Sequence, residues 1–394
     1  MTVNNPEQYT SNDETLEGAQ SLEEERFSDD AGEQAYELDD VQLDRGVITT
    51  PYDAPVRTLL AEISDKDLIV NPKFQRQNVW GRDRQSKLIE SLLLNIPIPV
   101  LYFAEDEDGT RVVVDGQQRL RAIEEYYAGR YALKRLEVLS SLNLKRWTDL
   151  TPKQSRTILS RTMRCVVISA SSPASLRFEM FERLNTGGMP LNDQELRNCV
   201  FRGSFNDLLH ELVRTRLWLS AVKKDSPELR MRHEELVLRF FALRSVVTNY
   251  RPPLKQVLNE FMRSNRNPDA AGLAAMAAIF ERALRNCTAV FGTNCFRRVQ
   301  TDGKGERWDT NVNRAVFDVQ MLGFADLSPS VVSERAEAIR EAFRFHCLAD
   351  EEFQDAVSLA TADRKKFYTR MRIWLTALRE EGVDNSLLDE LPAQ

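Results

Sequence analysis

Histidine and cysteine are scarce in this chain, and neither is arranged for chemistry. Three histidines, His210, His233 and His346, stand far apart, and none opens a metal motif. A zinc site is therefore not expected. Five cysteines, Cys165, Cys199, Cys287, Cys295 and Cys347, form no CxxC pair. An odd, scattered set of this kind reads as reduced cytosolic thiols. Residues 1–20 hold neither a basic start nor an apolar core, which argues against a secretory signal. No apolar run approaches the ~20 residues of a membrane span. The sequence also lacks GxSxG, a Walker-type GxxxxGK(S/T) loop and a paired cysteine–histidine centre. Hydrolytic triads and P-loop chemistry are thereby excluded.

What the chain has instead is an uneven charge. Fourteen Asp/Glu against two Arg give residues 1–45 a charge of −12; with −7 overall, the rest carries +5. Runs such as Glu23-Glu24-Glu25 and Asp39-Asp40 repel one another, so residues 1–48 are expected to be a disordered acidic tail. A mildly basic body is compatible with a nucleotide or nucleic-acid partner without requiring one.

Beyond the tail the patterning is mixed at first and helical later, so the expected fold class is α+β. Residues 49–200 alternate short strands and helices. Arg84–Asn95 carries Leu88, Ile89, Leu92 and Leu93 on one face, then Pro97 and Pro99 stop it. Val100–Phe103 and Arg111–Val114 read as paired strands about an acidic, glycine-containing turn. Thr162–Ser169 alternates as a further strand. Thr151-Pro-Lys-Gln154 and Asn192-Asp-Gln-Glu195 are capping boxes. Residues 201–383 form a helical region almost without strand signals, and 384–394 read as a loose tail.

The stretch Val112-Val-Val-Asp-Gly-Gln-Gln-Arg-Leu-Arg-Ala-Ile123 is the most informative. A β-branched run enters Asp-Gly and a helical pattern starts at once. Asp115 as N-cap with Gln118 three residues on would be a capping box, with no ligand needed. That leaves Gly116, costly in a first turn, and Arg119, a cation near the positive end of a helix. At about 100° per residue, Arg119 lies roughly 40° from Asp115, at the edge of the buried face. A glycine that allows close approach, beside a guanidinium, suits a phosphate. The residues alone leave cap and cradle both open. Phe74-Gln75-Arg76 with Trp80, and Asn185-Thr-Gly-Gly188, are further candidates. Trp80 is either core or a stacking platform. Arg76 is either a surface arginine or a second phosphate contact. The paired glycines form either a tight connection or a backbone nest.

In order, the segments FQRQNVW, KLIESLLLNIPIPVLYF, VVVDGQQRLRAIEEYYAG and MFERLNTGGMPLNDQELRN resemble the N-terminal domain family of the GmrSD restriction endonuclease. The resemblance spans about residues 55–200 and extends in part to about 345. It implies a core similar to the ParB/sulfiredoxin fold, in which a box at a strand–helix turn contacts a nucleotide's phosphates. By that analogy Asp115, Gln118 and Arg119 would be catalytic. Arg76, Gly116, Gln117, Arg119, Asn185, Gly187 and Gly188 would hold the nucleotide, and Asp115 a metal. The implied cofactor is a nucleoside triphosphate of unspecified base with Mg2+. The implied role is a cytoplasmic nucleotide-binding module, with or without NTP hydrolysis, of a bacterial anti-phage or modified-DNA restriction system. Many family members carry a His-Asn-His nuclease domain; three scattered histidines do not supply one, so cleavage is expected from a separate nuclease or other defence protein. Two other readings stay open: a DNA-sensing or scaffolding module without turnover, and metal-dependent nicking of DNA by the core itself.

Overall fold

In the computed structural model, residues 46–70, 80–184, 191–228, 230–303, 305–358 and 362–392 are described. The acidic tail to residue 45 lies outside them. The first part of the chain runs β1 (Thr49–Pro51), β2 (Ala54–Pro55), α1 (Val56–Asp65), β3 (Leu68–Ile69), α2 (Arg82–Leu94), β4 (Leu101–Glu105), β5 (Arg111–Asp115), α3 (Gln117–Tyr127), α4 (Pro152–Ser160), β6 (Thr162–Met163) and β7 (Cys165–Ile168). Five strands form one mixed sheet in the order β1-β7-β4-β5-β3. β4 pairs antiparallel with β5 and parallel with β7, and β3 runs parallel to β5. The strand expected over Thr162–Ser169 is thus two: β6 turns aside to pair with β2.

Alternate residues of the central strands go to opposite sides, as the period of two requires. Phe103, Val113 and Cys165 face a core with Leu59, Ile89 and Ile123 from α1, α2 and α3. Ala104, Val114 and Ile168 face a second core shared with the helices that follow. Those helices are α5 (Ala174–Leu184), α6 (Asp193–Val200), α7 (Ser204–Leu212), α8 (Arg216–Val222), α9 (Arg232–Val246), α10 (Leu254–Ser264) and α11 (Ala270–Phe291). After a hairpin, β8 (Val299–Asp302) and β9 (Gly305–Trp308), come α12 (Arg314–Phe324), α13 (Pro329–Glu334), α14 (Ala336–Ala349), α15 (Glu351–Ala356), α16 (Arg364–Glu380) and α17 (Leu387–Glu390). The architecture is α+β. Val200 and Phe201, on either side of the 200/201 division read from the sequence, sit in the same core.

α9 and α12 are the central helices, buried nearly all round. Their apolar residues therefore show no single stripe. Three charges are buried with them: Arg239 grips Asp318 through Nε and Nη2 at 2.6 and 2.7 Å, and Arg370 of α16 reaches the same carboxylate at 2.9 Å. Within the helical region α7 and α8 are separate helices, because Thr215 accepts from Trp218 N and caps a new start. The end of the chain is not loose over its described residues. Leu391 is buried, Asn385 Nδ2 donates to Gly323 O at 2.7 Å, and α17 packs on α16.

Candidate functional site

Val112, Val113 and Val114 are all buried, because β5 lies between two layers and between two partner strands. The strand delivers Asp115 opposite Tyr102, next to a register shift in β4. Gly116 then turns the chain at φ +96°, ψ 9°, and α3 begins at Gln117. Two constraints select glycine here. The left-handed conformation is costly for other residues, and a Cβ would collide with Cδ2 of Leu101. The first helical bond, Leu120 N to Gly116 O, is 3.0 Å.

Of the two readings left open, the capping box at Asp115 and Gln118 does not form. The N-cap is Gly116, with no side-chain cap. Asp115 is still in the strand, so its carboxylate is placed one residue too early to reach the N–H groups of N2 or N3. It instead accepts from Arg119 Nη2 at 2.6 Å. Arg119 Nη1 also donates to Pro99 O and, at 3.3 Å, to Val100 O. The arginine side chain is only 10% exposed, against 38% for Asp115. One cation thus ties together the entry to β4, the end of β5 and the first turn of α3. The guanidinium is turned into the fold and the carboxylate is its exposed end. Gln117 Nε2 donates back to Val113 O at 3.0 Å, and Gln118 is half-buried. The structure therefore brings Asp115, Gly116, Gln117, Gln118 and Arg119 into one turn. Arg76, Asn185, Gly187 and Gly188 lie outside the described residues.

The flanks of these outlying segments are placed. Val70, immediately before residues 71–79, lines a pocket of about 390 Å³ with Lys66, Arg121, Glu124 and Arg130, between α1, β3 and α3. Basic residues here escaped the sequence reading because they come from three elements with no shared spacing. Trp80 packs partly on the first core, and the Arg84 guanidinium covers its ring at 4.3 Å. After residues 185–190, the capping box at Asn192 and Glu195 forms as expected, with reciprocal bonds of 2.8 and 2.7 Å. Glu195, Arg197 and Asn198 of α6 are all buried. The LNDQELRN box therefore anchors the helical region to what precedes it.

Chemically, the β5–α3 turn offers a helix N-terminus without a side-chain cap, a feature suited to an anion. Among the described residues no three His, Cys, Asp or Glu side chains come together as a metal cluster. All five cysteines are free and buried, and burial pushes the Cys165 thiol up to about 12. No helix among the described residues is long and apolar enough to cross a membrane.

Compared with known families, residues 56–202 match the GmrSD restriction endonuclease, N-terminal domain. The matched segment begins with α1, contains the β5–α3 turn, and ends just after α6. No curated protein matches the chain.

Proposed function

We propose that this chain is the nucleotide-binding module of a DNA restriction system, and that the β5–α3 turn receives the nucleotide's phosphates. The observation that carries this reading is the start of α3: Gly116 at positive φ leaves the helix N-terminus without a side-chain cap, in the domain that matches a restriction endonuclease. Backbone N–H groups of the first turn of α3 and the Gln118 carboxamide would contact phosphate oxygens. Arg119 is a positioning residue in this reading, because its guanidinium is committed to Pro99, Val100 and Asp115. Mg2+ would be held by Asp115 together with phosphate oxygens, the usual arrangement for an ion that takes one or two carboxylates. When bound it would neutralise charge on the phosphates. DNA cleavage would come from a partner nuclease.

A thermal-shift screen with ATP, GTP, CTP and UTP, each with and without Mg2+, tests the reading. Ligand at about 100 times its dissociation constant should stabilise the fold by ~2.7 kcal/mol. Gln118→Ala should abolish the shift. No shift with any nucleotide would overturn the reading. Duplex binding with a steep salt dependence would then favour a DNA-sensing module.

A further inference from the structure

At the other end of β5 from Asp115, two arginines meet the β4–β5 turn: Arg202, which follows α6, and Arg266, between α10 and α11. A third, Arg177 of α5, has Arg266, Asp106 and Glu107 as its charged neighbours. The turn meets them with two carboxylates. Arg266 bonds to Asp106 and donates to Glu107 Oε1 at 2.9 Å, while Arg202 Nη1 stands 3.9 Å from Asp106 Oδ2. Glu107 is 80% exposed, so water screens its share. Asp106 is therefore the shielded carboxylate that faces these guanidinium groups.

Two donors are left over. Arg177 Nε and Arg202 Nη1 are both buried, and neither has a hydrogen-bond partner among the described residues. Buried donors nearly always have acceptors, because one left without costs its full desolvation. Burial, with Arg266 nearby, also holds the Arg177 pKa below the ordinary arginine value. The frame around them is fixed. Arg266 Nε donates to Arg202 O at 2.6 Å, and Gly203 packs so tightly on Arg266 O that a Cβ would collide with it.

We infer that this junction is an anion site for a phosphoryl group, either free or in a nucleic-acid backbone. Arg177 Nε and Arg202 Nη1 would donate to its oxygens, as guanidinium forks do to phosphate. Asp106 and Glu107 hold Arg266 back. The site is separate from the β5–α3 turn and does not depend on the nucleotide reading.

Calorimetric titration of the full chain with inorganic phosphate, and separately with a 20-base-pair DNA duplex, at fixed ionic strength tests the site. Saturable binding is expected, weakened at least tenfold by Arg177→Gln and by Arg202→Gln, with any thermal response to nucleoside triphosphates unchanged. Competition between duplex and phosphate would assign the site to a nucleic-acid backbone, and its absence to a small phosphorylated ligand; both support the proposal. If Arg177→Gln does not fold, the more exposed Arg202→Gln reads the same site. Binding that survives the arginine substitutions, or no saturable binding of either probe, overturns it.

Discussion

Gly116 and Arg119 do different work in the same turn, and substitution should separate them. Alanine at 116 would have to adopt φ +96° and push into Leu101. A left-handed non-glycine residue alone costs about 1–3 kcal/mol, so Gly116→Ala should lower the urea midpoint by at least that equivalent. Arg119→Ala leaves the Pro99 and Val100 carbonyls without their donor and Asp115 without its counter-charge. A loss of about 1–3 kcal/mol follows, with weaker nucleotide response as an indirect result. His233 provides a separate pH signal. It is fully buried against Trp218, and burial first, then Lys224 and Arg232, lower its pKa to about 4. The unfolded chain takes up this proton near pH 6.5 and the folded one only near 4. Stability from this group is therefore complete above about pH 6.5 and drains away as pH falls towards 4, by about 3 kcal/mol in all. Denaturant midpoints measured across that window should slope upward with pH, and less so in His233→Phe.

Elements with a strong local signature were legible in the sequence. Both boxes, at Thr151 and Asn192, cap as their residues suggest. The hairpin β8–β9 was missed. Its residues are mostly exposed and show no apolar alternation, and the Asp302-Gly303 turn signal stood alone in a helical context. The role of Arg119 was half legible: the i,i+4 spacing to Asp115 places the two together, but the carbonyls of Pro99 and Val100 are twenty and nineteen residues away. No local pattern encodes them. The same holds for Arg239, Asp318 and Arg370, which join α9, α12 and α16 only after folding. Here Asp318→Ala would leave two guanidinium groups buried together. Such a break costs about 3–5 kcal/mol, enough that the variant should melt far below the parent or fail to accumulate. Replacing the exposed partner in Arg244–Asp326 should cost under about 1 kcal/mol by comparison.

At the scale of the molecule, the sheet is a wall common to two cores. A fragment ending at residue 202, the extent of the family match, would uncover Ala104, Val114, Ile168, Phe178 and Phe181. It should be insoluble or aggregate when expressed alone, as size-exclusion chromatography would show; a monodisperse fragment would contradict the shared core. The thiols report on the same integrity. All five are buried, so a thiol reagent should label the native chain slowly and label all five sites at once after denaturation. The wall also restricts which changes to the gene the protein can tolerate. Because Val113 and Val114 serve opposite cores, conservative replacements along β5 disturb one side only. A single-codon insertion or deletion within Arg111–Asp115 exchanges the sides of every following residue in the strand. It would also carry Arg119 away from the Pro99 and Val100 carbonyls. Length variation should therefore be accepted in the exposed tip at Glu107–Gly109 and rejected five residues later.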